Sequence, residues 1–268
     1  MNNPHKMGVT LLQSFLTIGF IACAMPIAYA DTSNDTANLT SGFVLNVLGG
    51  VADLTSGFGT EVLPPPAPGF PPTVNTLHGS TDSATFEPGF GVGYDFITAP
   101  YTNVNGFYIL RDVEVGVNAY YLSGNRTGQV LLGGSPSANF NNYNMGLTSW
   151  RVMLDSEWDF HPFPYNIIPF GEAGIGDAIN SMNYSEALTP GSSGASVTLP
   201  NTTRNNFAYE LGGGVKVPMN AHTQLSFRYL YSDLGEVQAT SPALAQPLNV
   251  NLHSSSFLLG FTYLFGSN

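Results

Sequence analysis

From residue 148 to 160 the chain alternates. Thr148, Trp150, Val152, Leu154, Trp158 and Phe160 fall on one side of an extended chain, and Ser149, Arg151, Met153, Asp155, Glu157 and Asp159 on the other. A period of two, with one apolar and one largely charged face, predicts a β-strand between two different environments. The pattern recurs. Phe257, Leu259, Phe261, Tyr263 and Phe265 oppose Ser256, Gly260 and Thr262, and Leu225, Phe227, Tyr229 and Tyr231 oppose Gln224, Ser226 and Arg228. Phe207, Tyr209, Leu211, Val215 and Val217 oppose Glu210, Gly212, Gly214 and Lys216. Phe86, Phe90, Val92, Tyr94 and Phe96 oppose Glu87, Gly89, Gly91, Gly93 and Asp95. Val113, Val115, Val117 and Ala119 oppose Asp112, Glu114, Gly116 and Asn118. Residues 41–51 carry Phe43, Leu45, Val47 and Val51 on one face, and 167–179 form a Gly-rich strand with Glu172 opposite Ala173 and Ile175. Eight strands result, each about ten residues or longer, the length a tilted strand needs to cross a bilayer.

The connections alternate in length. Residues 52–84, 122–144, 182–205 and 235–252 are long; 98–107, 161–166 and 218–221 are short. A soluble sandwich has no reason to gather its long loops at one end, whereas a membrane barrel has short turns on the periplasmic side and long loops outside. The expected fold is all-β: an eight-stranded antiparallel up-and-down transmembrane β-barrel with four long external loops, in the bacterial outer membrane, with its termini in the periplasm. Aromatics are expected in two girdles. Tyr101, Phe107, Trp158, Phe160, Phe163, Tyr165 and Tyr263 would form the short-turn ring, and Tyr121, Phe140, Tyr143, Trp150 and Tyr231 the long-loop ring.

Composition sharpens this picture. Only 9% of residues are charged, against about a quarter in an ordinary soluble domain, and no long apolar run follows residue 30. The formal net charge is −11, and the basic residues after residue 30 (Arg111, Arg126, Arg151, Arg204, Lys216 and Arg228) are unclustered. Nucleic acid, which demands clustered cations to displace counterions, is excluded as a partner.

Residues 1–30 read as a signal peptide. His5 and Lys6 precede an apolar stretch, Pro26 breaks it, and Ala28-Tyr29-Ala30 offers the small residues for cleavage. Ile21-Ala22-Cys23 provides a second route, acylation at Cys23. Residues 31–39 follow as a short N-terminal segment, and 40–268 as the barrel. Cys23 is the single cysteine, so neither disulfides nor thiolate metal sites are expected after cleavage at Ala30.

The short turn Pro218-Met219-Asn220, the strand Phe227-Arg228-Tyr229-Leu230-Tyr231 and its continuation Ser232-Asp233-Leu234-Gly235 resemble the small porin-like barrels of the outer-membrane protein A and opacity-protein superfamily. The aromatic final strand Ser256–Phe265 is similar to theirs as well. The resemblance covers the chain from about residue 40 and implies a fold, with outer-membrane lipid, lipopolysaccharide and the barrel-assembly machinery as partners, but no activity. Two departures stand out. A peptidoglycan-binding domain is missing after the barrel, and Gly266-Ser267-Asn268 follow the terminal aromatic that assembly machinery commonly reads, leaving Phe265 in that role.

Candidate chemistry lies in three places. The inward face is expected to carry Glu87, Asp95, Glu114, Arg151, Asp155, Glu157, Glu172, Glu210, Lys216 and Arg228. Side chains fill an eight-stranded bore, so the cations should pair with neighbours such as Glu172 and Glu210, as a gate or as a plug. An acid-rich pore would favour cations. His253 and Ser255 form a His-x-Ser pair on one strand face, geometry that suits a base and a nucleophile, but no orienting acid follows in that strand. His78, His161 and His222 are scattered without metal-ligand spacing. Gly212-Gly213-Gly214 matches no phosphate loop. Residues 61–72 are Pro-rich and expected to project as a stiff polyproline-like stretch, to fold across the mouth, or to form a disordered loop. Loops 122–144 and 182–205, rich in Asn, Ser, Gly and Thr with one Arg each (Arg126 and Arg204), suit contacts with sugars or proteins, or evasion of recognition.

Three functions fit, in this order: a surface-interaction barrel acting as adhesin or antigen on a host or envelope ligand, a narrow channel for small or apolar solutes, and a lipid-modifying enzyme. The chain is expected not to be an enzyme and to need no cofactor or metal.

Overall fold

A computed structural model describes residues 41–265 apart from 58, 81–83, 98–102, 105–106, 109, 134–138 and 191–195. The signal segment 1–30 with Cys23, residues 31–39, Tyr101 and Gly266-Ser267-Asn268 lie outside the described residues, as do the side chains of Phe107 and Phe140. The strands in chain order are β1 (Gly42–Ser56), β2 (Thr60–Leu63), β3 (Thr73–Ser80), β4 (Thr85–Ile97), β5 (Asn103–Val104), β6 (Phe107–Tyr108), β7 (Leu110–Leu132), β8 (Asn139–Phe160), β9 (Ile168–Leu188), β10 (Thr198–Pro218), β11 (Thr223–Ala239) and β12 (Leu248–Phe265). Every long pairing is antiparallel. β1 pairs with β4 and β12, β4 with β7, β7 with β8, and the series β8, β9, β10, β11, β12 continues in sequence order. Eight strands therefore form a ring in which each has two neighbours, the up-and-down order expected.

The outward face is an apolar belt, interrupted on β9 by the exposed Asp177 between Ile175 and Ile179. Phe86 is 66% exposed while Glu87 beside it is fully buried, which fixes the two faces of β4. Phe43 to Val51 on β1, Trp150 to Phe160 on β8, Phe207 to Val217 on β10 and Phe257 to Phe265 on β12 give the belt a height of about ten residues per strand, the length of a tilted transmembrane strand. Trp158, Phe160, Phe163, Tyr165 and Tyr263 lie toward the short turns, and the Tyr121 and Trp150 rings, 4.6 Å apart, mark the other rim with Tyr231. Tyr143 is not part of that rim. It points inward, 3% exposed, stacked on Tyr184 with 5.8 Å between ring centroids.

Strands do not stop at the belt. β7 and β8 run 23 and 22 residues, β9 and β10 21 each, so most of 122–144 and 182–205 is strand. In these extensions the polarity inverts. Ser123, Asn125, Thr127 and Gln129 of β7, Asn142, Asn144 and Thr148 of β8, and Ser181, Asn183 and Ser185 of β9 face outward. Leu122, Met145, Leu147, Met182, Tyr184, Leu199, Leu234, Val237, Val250 and Leu252 face inward as one apolar core. Water surrounds the extensions and lipid surrounds the belt, so each half puts on its wall what its own solvent accepts. The signal was visible in β8, where the apolar positions change from odd (Tyr143, Met145, Leu147) to even (Trp150, Val152, Leu154). Bulges at Leu199/Thr202 and Asp233/Gly235 lie in this upper region, where the extra residue adds twist.

The first connection is also structured. β3 pairs with the upper end of β7 where β4 has ended, and β2 pairs with β3. The Ala245 amide donates to the Val62 carbonyl, joining β2 to the connection between β11 and β12. The Pro-rich stretch is the exposed tip of this hairpin, turning at Ala67–Phe70 with Gly69 at φ +88°, so it does not extend as one rod. Arg126, expected in an external loop, points inward and donates to the Ser56 and Gly57 carbonyls at 2.7 and 3.1 Å, anchoring the end of β1.

Leu147→Ala should cost about 2–5 kcal/mol, the usual range for emptying a packed leucine site. The loss should appear as faster amide exchange in the strand extensions, with heat-dependent gel mobility of the belt unchanged.

Candidate functional site

Within the belt, alternation sends every second side chain into a bore too narrow to stay empty. Three cations organise it. Arg151 of β8 reaches Glu87 of β4 at 2.6 Å and Glu210 of β10 at 3.2 Å, with its guanidinium 4.2 Å from the Tyr120 ring centroid. Arg228 of β11 reaches Glu172 of β9 at 2.6 Å and Glu157 of β8 at 3.3 Å, and lies over Phe170 at 5.2 Å. Lys216 of β10 pairs with Glu157 and, at 2.9 Å, with Asp159. Each link joins strands that are not hydrogen-bonded neighbours, so the cations tie the ring across its interior.

Uncharged donors serve Glu114, Asp155 and, beside Arg151, Glu87, while Asp112 pairs with Arg111 at 3.1 Å. Asn46 donates to Glu114 at 2.6 Å and accepts from Thr262 at 2.7 Å. Asn118 donates to Asp155 at 2.7 Å, and Ser256 donates to Glu87. Glycines make room for these long side chains: a Cβ on Gly174 would collide with Asp155, and one on Gly212 would sit 2.8 Å from a Glu172 oxygen.

The structure thus brings Glu87, Glu114, Arg151, Asp155, Glu172, Glu210, Lys216 and Arg228 into one buried interior network, with Glu157 among them. Asp159 and Asp112 belong to the same buried interior. Their inward position was legible from alternation, but the contact of Asp159 with Lys216 and that of Asp112 with Arg111 were not. Asn46, Tyr120, Phe170 and Thr262 were missed because neutral and aromatic residues carry no charge signal.

A second cluster lies above the belt, between the first hairpin and β9. Glu186 accepts from the Tyr184 hydroxyl and Asn141 amide at 2.6 Å each and from the Val197 backbone at 3.2 Å. Glu61 accepts from Asn75 at 2.9 Å. Burial pushes the Glu61 carboxyl up to about 7, opposed by its Asn75 hydrogen bond and reinforced by the Glu186 charge.

The two residues of the His-x-Ser pair sit on the outer wall at the top of the belt. His253 faces Asp233 of β11 across the β11–β12 ladder, and Ser255 faces Tyr231. The acid that β12 lacks comes from the adjacent strand.

No protein-family model and no curated protein matches the chain. Among solved structures the chain is similar to Neisserial surface protein A (14% identity, 85% of this chain and 100% of that one, TM-score 0.39). It is similar to OprG from Pseudomonas aeruginosa (14%, 85% and 98%, 0.39) and to the attachment invasion locus protein Ail of Yersinia pestis (12%, 84% and 99%, 0.36).

Two outcomes are expected. Arg151→Met strands Glu87 and Glu210 and should cost about 3–5 kcal/mol, read as the urea midpoint in lipid vesicles; adding Glu87→Gln and Glu210→Gln should recover most of it. Glu61 holds its proton more tightly folded than unfolded, so its contribution is complete below its unfolded value, near 4.5, and is lost as pH rises through about 7. Glu61→Gln should therefore raise the urea midpoint of the upper half at pH 8 and leave it unchanged at pH 4.

Proposed function

We propose that the protein is a bacterial outer-membrane barrel whose role is surface interaction, exercised by the wall of its strand extensions, with neutral glycans or glycan-bearing surfaces as partners. One observation carries the reading: β7 to β10 present a strand-borne face rich in amides and hydroxyls just beyond the apolar belt, on which the exposed Arg204 is paired with Glu236 at 3.7 Å. A shallow depression on it is lined by Ser123, Asn125, Thr148, Ser181, Asn183 and Asn201. Paired donors and acceptors without net charge match the hydroxyls of sugars, and would gain little from phosphate or sulfate, which want Lys and Arg. The face is held by backbone ladders, so little ordering entropy opposes binding.

In this reading the short turns and the termini lie in the periplasm, outer-membrane lipid contacts the belt, lipopolysaccharide sugars border the extensions, and the barrel-assembly machinery inserts the chain. The interior charges serve as a plug that fixes strand register. Conduction would require the pairs around Arg151, Arg228 and Lys216 to separate in a medium that does not solvate them.

Folded protein in planar bilayers should give no discrete conductance steps at any salt concentration. The same protein on a sensor surface should bind neutral oligosaccharides, and Asn125→Ala with Asn144→Ala should weaken that binding at least tenfold. Steps that respond to Arg151→Met, with no oligosaccharide bound, would replace this reading with the channel.

A further inference from the structure

The wall of β10, β11, β12 and β1 changes character within two rows. On β12 the outward series Phe265, Tyr263, Phe261, Leu259, Phe257 gives way to Ser255 and His253, and then to Asn251 and Asn249. On β11 the series Leu225, Phe227, Tyr229, Tyr231 gives way to Asp233, and on β1 Val51 gives way to Asp53 and Thr55. This row marks the depth at which the surrounding medium turns from hydrocarbon to headgroup, and there the esters joining acyl chains to their headgroups lie.

At that depth three polar side chains converge. His253 Nδ1 is 3.6 Å from Asp233 Oδ2 and 3.2 Å from the Tyr231 hydroxyl, and its ring stacks on Tyr231 at 6.1 Å and 17°. Asp233 is itself fixed, because its Oδ1 accepts from the Gly235 amide at 2.9 Å inside a bulge where Gly235 takes φ +77°. The Tyr229 hydroxyl donates to Ser255 Oγ at 3.2 Å. Both histidine contacts fall on Nδ1; with the proton on Nδ1, facing Asp233, Nε2 is left free to accept one. Ser255 follows two residues on along the same face, about 7 Å away by strand rise. In this structure Ser255 Oγ is held by Tyr229 on the side away from His253, so attack requires the serine to leave that bond and turn toward the imidazole.

We propose that Ser255, His253 and Asp233 form an acyl-ester hydrolase site on the lipid-facing wall, acting on acylated lipids of the surrounding leaflet. Ser255 Oγ attacks the ester carbonyl carbon while His253 Nε2 takes its proton. The ester C–O bond then breaks, His253 returns the proton to the departing lipid alkoxide, and the acyl group stays on Ser255. Water attacks that ester through the same base, releasing the fatty acid and restoring the serine. Asp233 is a positioning residue that holds Nδ1–H toward itself and steadies the imidazolium. The Tyr229 hydroxyl lies beside the oxygen charge that develops. Water enters from the polar side of the row and the acyl chain from the apolar side, so no pocket is needed: the bilayer holds the substrate. The proposal is independent of the surface-interaction reading, since it uses neither the extensions of β7 to β9 nor the interior.

The test uses the mature protein folded in vesicles of phosphatidylethanolamine and, separately, of purified lipopolysaccharide, with free fatty acid measured by mass spectrometry. Folding of each variant is checked by heat-dependent gel mobility. Release that falls at least 100-fold in Ser255→Ala and His253→Asn is expected, and the lipid that supports it names the substrate. Asp233→Asn should lower the rate and move the pH profile, which a merely structural role would not do. A fluorophosphonate probe should label Ser255 in the wild type and nothing in Ser255→Ala. Folded protein that neither releases fatty acid nor takes the probe overturns the proposal, as does release that survives Ser255→Ala.

Discussion

Three cations buried in a narrow bore set the terms for the rest of the structure. Arg151, Arg228 and Lys216 have no bulk water to solvate them, so each must be matched by carboxylates delivered from across the ring. Arg151 draws on β4 and β10, Arg228 on β8 and β9, and Lys216 on β8. Because side-chain direction has a period of two, a slip of one residue in any of these strands would turn a charge into the lipid and an aromatic into the bore. The network is thus a check on register as much as a source of stability, and the glycines opposite it, Gly174 and Gly212 among them, are the space it requires.

The extensions obey the same rule with its sign reversed. Above the belt the bore holds leucine, methionine and tyrosine while the wall holds asparagine, serine and threonine. One continuous strand such as β8 can serve both halves only if its apolar positions change parity, and the change falls between Leu147 and Trp150. The upper half is then a water-soluble β-cylinder with its own packed core, standing on a membrane-soluble one. The outward residues of the extensions are thus carried on paired strands and not on loops.

Strand number, order and the inward set were legible because alternation is a strong local signal and the belt imposes it for about ten residues at a time. The extent of the strands was not. Reading polar segments as loops assumes that strands end where apolar side chains leave one face, and in Ser123–Gln129 or Ser181–Ser185 the apolar residues had moved to the other face. Arg126 and Tyr143 were misplaced for that reason. The Asp233–His253 pairing escaped too, because the two residues are 20 apart in sequence and meet only through the register of β11 against β12, which includes a bulge between Asp233 and Gly235.

Alternation also separates the chemistry of the two faces. On β11, Arg228, Leu230 and Ser232 face the interior while Tyr229, Tyr231 and Asp233 face outward, so consecutive residues belong to different sites. A substitution on the wall leaves the interior pairs in place, and one in the interior leaves the wall in place as long as register holds. On the plug reading proposed above, the barrel is a sound platform for work on its outer surface: the interior would fix position to within one residue, the accuracy that a row of polar groups at a set depth in the bilayer needs. A bore that opened and closed would move the same backbone and blur that row.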